Sequence, residues 1–221
     1  MGEDWKLLEI LPKGNLKLFS RQTINISVIK EEKRFSSYKV TDKKVTWLLN
    51  IVHLTSAMFK DENARNKRAD NVSDLIRKIE EEVFHADDFK SIVVGDFNLQ
   101  PYSQGVAGVF GFNATMSVTN ARKQYRKIEG EKRYLYFNPM WKLMGDNKLV
   151  QGTYYGDNDQ QDLSIFWYSF DEVLIRPYFI DKFNWEYFGV VERTENYNFI
   201  SNHKINKTAF SDHLPLKFEI V

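Results

Sequence analysis

Three short clusters join acidic, amide or imidazole groups to apolar, strand-like runs. In Val93-Val94-Gly95-Asp96-Phe97-Asn98 an apolar run meets a glycine, and Asp96 and Asn98, two positions apart, put a carboxylate and an amide on one face at the strand's mouth. In Phe170-Asp171-Glu172-Val173-Leu174-Ile175 an acid opens an apolar run. In Ser211-Asp212-His213-Leu214-Pro215-Leu216 adjacent Asp and His precede a proline, which stiffens the entry to the terminal strand and limits how the two side chains point. Each cluster also has a plain structural alternative. Gly-Asp and Asn form turns, and aspartates at strand edges act as caps. His53, near the end of Val45–Leu54, reads in isolation as a core histidine bonded to backbone. His85 and His203 lie in polar surroundings and read as solvated.

Taken together, hard oxygen ligands and an asparagine suit Mg²⁺ or Mn²⁺ better than zinc, and imidazoles at such a site hydrogen-bond to phosphate oxygens. The matching chemistry is phosphoester hydrolysis. A carboxylate orients and deprotonates water, a metal holds a phosphoryl oxygen, and a protonated histidine meets the charge developing on the phosphate.

The elements that must position these groups follow from hydrophobic period. Leu16–Phe19, Ile24–Ile29 and Phe35–Val40 read as strands, with the turn between the last two at the charged run Lys30 to Arg34. Val45–Leu54 reads as a strand buried on both faces. From Asp61 to Phe84, Val72, Leu75, Ile76, Ile79 and Val83 recur at three and four, which predicts an amphipathic helix. Ser91–Gly95 then reads as a central strand, completing a strand–helix–strand unit. Further on, Tyr134–Phe137 reads as a strand. Asn138-Pro139 opens a short helix through Met144, ended by Gly145-Asp146-Asn147. Phe170–Ile175 and Leu216–Val221 are the last strands. The aromatic-rich region Trp141 to Trp185 reads as core and loop packing.

The 221 residues are 43% apolar and 15% aromatic, enough for a sizeable core, with no repeat or linker, so the expectation is one mixed α/β domain over residues 1–221. Zero cysteines exclude a disulfide scaffold, a thiolate metal site and a cysteine nucleophile. With 31 basic and 30 acidic side chains the net charge is +1, which argues against a strongly basic nucleic-acid binder. The local basic stretch Arg122 to Arg133 reads either as a solvated loop or as a contact for a nucleic-acid backbone. No window approaches the length of an apolar membrane span.

The strand ending in Val52-His53-Leu54, Gly95-Asp96-Phe97-Asn98, Phe170-Asp171-Glu172-Val173 and Ser211-Asp212-His213-Leu214-Pro215 together resemble the successive motifs of the endonuclease/exonuclease/phosphatase superfamily. Its members include pancreatic-type deoxyribonuclease, abasic-site endonucleases, sphingomyelinases and inositol-phosphate 5-phosphatases. The resemblance runs from about Leu16 to the C-terminus and implies a four-layer α/β sandwich of two packed mixed β-sheets flanked by helices. It implies that Asp96 orients or deprotonates the attacking water and that Asn98 holds water or phosphate. His213 would act on the scissile phosphate with Asp171 as its partner, and His53 would be a second phosphate-contacting histidine. Asp212 and Asp96 would bind Mg²⁺ or Mn²⁺. The substrate would be a phosphoester, with nucleic acid, lipid and sugar phosphates all compatible with these motifs.

The family pattern also has an N-terminal strand carrying an Asn and a second strand ending in a metal-binding Glu. Residues Met1 to Asn15 are too few for that unit, and Glu3, Asp4 and Glu9 follow no buried strand. The expectation is a chain that begins inside the domain, lacking its first strand–helix–strand unit, with weakened metal binding and an exposed sheet edge open to association. A competing expectation is an inactive or partner-dependent fragment that serves in binding or structure.

Overall fold

The computed structural model describes residues 5–8, 16–21, 24–42, 45–56, 61–85, 88–145, 149–156 and 164–221. Glu3, Asp4 and Glu9, and the helix end assigned to Asp146 and Asn147, lie outside the described residues.

Seven strands form one mixed sheet. They are β1 (Asn25–Glu32), β2 (Phe35–Asp42), β3 (Val45–His53), β4 (Ser91–Asp96), β5 (Ala114–Thr115), β6 (Tyr136–Phe137) and β7 (Asp171–Ile175), in the order β1-β2-β3-β4-β7-β6-β5. The β3–β4 and β6–β5 pairs are parallel and the others antiparallel. The link between β3 and β4 is the predicted helix, α1 (Glu62–Val83), capped at its start by the Asp61 side chain, which accepts from the Ala64 amide. This is the strand–helix–strand crossover that parallel neighbours require.

Both faces of the sheet are covered, and the alternation along its central strands shows why. Leu48 and Val52 of β3, Val93 of β4 and Leu174 of β7 meet Ala69, Val72, Ile76 and Ile79 of α1. The alternate residues, Leu49, Ile92, Val94, Val173 and Ile175, face a second layer. That layer holds the 3₁₀ turn Pro177–Lys182 and the two-stranded ribbon of Gly189–Val190 with Leu216–Lys217. The α/β fold with a large mixed sheet and several small ones is as expected. Among the described residues the second sheet consists of two-stranded ribbons.

Several boundaries move. Lys30 to Glu32 are the end of β1 and not a turn, because the hairpin closes at Lys33-Arg34 and a bulge between Val28 and Lys30 resets the register. Tyr134–Phe137 splits in two: Tyr134 ends a hairpin of Tyr125–Ile128 with Glu131–Tyr134, and only Tyr136–Phe137 joins the sheet. Of Leu216–Val221 only Leu216–Lys217 is ribbon, followed by a bridge from Ile220 to Phe183. Among the described residues no helix is long and apolar enough to cross a membrane.

The end of the sheet opposite Asp96 and Asp171 is closed by a buried ion pair. Arg176 donates from Nε and Nη2 to the two carboxylate oxygens of Glu80 at 2.9 and 2.6 Å and from Nη1 to the Leu135 carbonyl at 3.1 Å. Glu80 also accepts from the hydroxyls of Ser91 and Tyr136, so α1 is tied to β4, β6 and the end of β7 at one point. Such a pair contributes little net stability against an apolar replacement, but removing one member strands the other charge in the core. Arg176→Met is therefore expected to lower the unfolding free energy by about 3–5 kcal/mol. Adding Glu80→Leu to it should recover part of that loss, measured by urea denaturation of the three variants.

Candidate active site

Asp96 is the last residue of β4, and its two cross-strand neighbours are His53 of β3 and Asp171 of β7. Residues in register on neighbouring strands point to the same face, so three chemically active side chains separated by dozens of residues emerge together. The backbone here is held on both sides: Leu54 N–H donates to the Asp96 carbonyl at 2.7 Å and Phe97 N–H to the Phe170 carbonyl at 2.8 Å. Gly95 permits this closeness. Its φ is +138°, and a Cβ there would lie 2.0 Å from the Val52 carbonyl oxygen.

The side chains are interlocked. Asn98, buried and at φ +50°, donates from its backbone to Asp96 Oδ1 at 2.8 Å and from Nδ2 to Asp96 Oδ2 at 2.6 Å. The same Nδ2 donates to the Leu54 carbonyl at 3.2 Å, so both amide protons are engaged in holding the carboxylate and its loop. His213 Nδ1 lies 2.7 Å from Asp171 Oδ2, which leaves Nε2 as its second ring nitrogen. Thr153 positions both members of that pair. Its hydroxyl accepts from the Asp171 amide at 3.0 Å and its carbonyl from the Leu214 amide at 2.7 Å. His53 Nε2 is 3.5 Å from Asp96 Oδ2, and its side chain is 56% exposed, so it is not a core histidine.

Electrostatics follows the geometry. Burial, with the charge of Asp171 added, raises the pKa of Asp96. Burial opposes the charged form of His213, but the hydrogen bond and charge of Asp171, with the charges of Asp96 and Asp212, outweigh it and raise its pKa. Asp96, Asp171 and His213 each place one ligand atom within 4.8 Å of the others. Asp212 is outside that group but lines the same cleft. The carboxylate oxygens gathered here suit a hard divalent cation better than a soft one, and His213, with Nδ1 committed to Asp171, is left as a hydrogen-bonding group beside them.

The cleft, about 440 Å³, runs from His213 and Asp212 past Asn98 to the first turn of α1. One wall is aromatic. Tyr154 lies 5.1 Å from the His213 ring and 5.4 Å from Phe170, which stacks on Tyr168 at 5.0 Å. These three belong to the stretch read as core and loop packing, and here they line a site. Thr153, Arg65 and the aromatic wall were missed because no motif or period marks them. The basic stretch Arg122 to Arg133 stands elsewhere: Tyr134 packs on Phe89 and Leu135 meets Arg176, both at the opposite end of the sheet. His85 and His203 are not among the cleft residues.

No protein-family model matches the chain, and no curated protein matches it in sequence. Solved structures match it in fold. An endonuclease/exonuclease/phosphatase family protein from Bacteroides thetaiotaomicron superposes with a TM-score of 0.55 at 14% identity, covering 98% of this chain and 75% of that one. The chain has the endonuclease/exonuclease/phosphatase fold. The same fold joins it to the mannosyl-6-phosphatase of B. thetaiotaomicron, with a TM-score of 0.53 at 15% identity and coverage of 99% and 78%. It joins it also to D. rerio TDP2 complexed with a single-strand DNA product, with a TM-score of 0.52 at 16% identity and coverage of 96% and 74%. The ends of β3, β4 and β7 and the segment before Leu216 come together beside this cleft, and the sequence motifs fall on those four places.

The Asp171–His213 bond makes a direct prediction. In metal-free protein with chelator present, NMR titration of His213 should place its midpoint above that of an ordinary histidine. Asp171→Asn, which removes the negative partner, should lower that midpoint.

Proposed function

We propose that this chain is a metal-dependent phosphoester hydrolase, a phosphodiesterase or nuclease, that works at the cleft between His213 and α1. The observation that carries the reading is the arrangement of Asp96 beside a hydrogen-bonded Asp171–His213 pair. The fold comparison supports it: a mannosyl-6-phosphatase and TDP2 bound to a DNA product act on or hold molecules whose common group is a phosphate ester.

In this reading Asp96 orients a water molecule and takes its proton as the oxygen attacks phosphorus. Burial raises the basicity of that carboxylate, and Asn98 fixes its direction through its backbone N–H and its side-chain amide. His213, kept charged by Asp171, offers Nε2–H to a non-bridging phosphate oxygen, where negative charge grows in the transition state. His53 approaches the same carboxylate from β3 and supplies a second imidazole near the phosphate. The bond to the leaving oxygen breaks as the bond to water forms, and the departing alcohol takes a proton from solvent. Asp96 and Asp212 would hold Mg²⁺ or Mn²⁺, which when bound neutralises a phosphoryl oxygen as a Lewis acid. Through its backbone N–H and Nδ2, Asn98 also acts as a positioning residue for Asp96.

The test uses bis(4-nitrophenyl) phosphate, 4-nitrophenyl phosphate and a labelled single-stranded oligonucleotide. At least one should be hydrolysed with Mg²⁺ or Mn²⁺ and not with excess EDTA. Asp96→Asn and His213→Gln should each lower kcat by about 10²–10⁴-fold, the usual contribution of a positioned acid or base. Absence of turnover with every ester and both metals, or variants as fast as the wild type, would overturn the reading.

A further inference from the structure

Arg65 lines the cleft from the first turn of α1. Nη1 of its guanidinium donates to the Asn98 carbonyl, and its Nε is buried without a hydrogen-bond partner among the described residues. Arg77, Arg122, Arg133 and Arg176 each face a carboxylate, respectively Asp74, Asp181, Glu131 and Glu80. Among the described residues Arg65 has no such ion pair. A half-buried guanidinium loses hydration, and with Glu62 and Asp212 of the same cleft beyond ion-pair distance that loss is only partly compensated. The group has five donors in a rigid fork, and one hydrogen bond to a neutral carbonyl leaves the fork largely unspent.

Its position gives the unspent charge a use. The carbonyl that tethers it belongs to Asn98, whose side chain holds Asp96, so the cation is fixed relative to the carboxylate that would activate water. Guanidinium matches the oxygens of phosphate in shape and charge better than any other side chain. We propose that Arg65 is a phosphate-binding residue, taking a non-bridging oxygen of the substrate from the α1 side while His213 approaches from the ribbon layer. The proposal rests on the phosphoester reading and adds to it a group that no motif marks.

The experiment is calorimetric titration of inorganic phosphate into the full chain, in EDTA, for the wild type, Arg65→Gln and Arg65→Lys. Arg65→Gln should bind phosphate at least about tenfold more weakly, as expected for loss of a charge-assisted hydrogen bond, and Arg65→Lys should retain part of the affinity. In the wild type, saturating phosphate should shield Arg65 from phenylglyoxal, read by mass spectrometry of its peptide, which decides the matter even if neither variant folds. Equal phosphate affinity in Arg65→Gln, or equal modification of Arg65 with and without phosphate, would overturn the proposal. Phosphate binding through Arg65 in a chain that hydrolyses no ester would overturn the hydrolase reading and leave this one. Turnover with unchanged phosphate binding in Arg65→Gln would do the reverse.

Discussion

The candidate site is held by the pairing of three strand ends. β4 lies between β3, parallel to it, and β7, antiparallel to it, with His53, Asp96 and Asp171 at matching positions. A slip of one residue in either ladder would turn His53 or Asp171 to the other face and dissolve the constellation. Register is protected because both faces of these strands are buried: a slip would also exchange Leu48 with Leu49 or Val173 with Leu174 between two differently shaped cores. The packing that stabilises the sheet is therefore also what aligns the chemistry.

The two ends of the sheet use charge in opposite ways. At one end Arg176 and Glu80 neutralise each other inside the core, with Tyr136 and Ser91 completing the hydrogen bonds. At the other end carboxylates gather without full compensation: Asp96 and Asp171 are neighbours, Asp212 lines the adjoining cleft, and burial, with the charge of Asp171 added, raises the pKa of Asp96. His213, whose pKa is raised, and Arg65 bring positive charge to the same place. An arrangement with buried like charges side by side costs stability, and such sites are where perturbed groups serve function. The basic hairpin near Arg176 is at the balanced end and is separated from the cleft by the length of the strands.

Much of the site was legible locally. Gly95-Asp96-Phe97-Asn98 announced a carboxylate at a strand's mouth because the apolar run and the glycine are adjacent in sequence, and the period of α1 announced the crossover that makes β3 and β4 parallel neighbours. Ser211-Asp212-His213-Leu214-Pro215 was equally distinct. What remained illegible depends on contacts between distant segments. Thr153 carries no motif, yet it braces Asp171 and, through Leu214, His213. The isolated reading of His53 as a core histidine failed because the end of a buried strand looks the same in sequence whether its last residue turns inward or opens on a cleft.

By itself, then, the amino-acid order determined the element types, the identity of the acids and imidazoles, and their places at strand ends, since hydrophobic period and turn chemistry are properties of neighbouring residues. Tertiary structure decided which of those strand ends meet, that Asn98 spends its amide on Asp96, that aromatic rings from 154, 168 and 170 form a wall, and that Arg65, tethered to the Asn98 carbonyl, lines the same cleft. Those outcomes are set by strand register and by how α1 packs on the sheet. Both are cooperative results of burying two cores at once, and no short stretch of sequence encodes them.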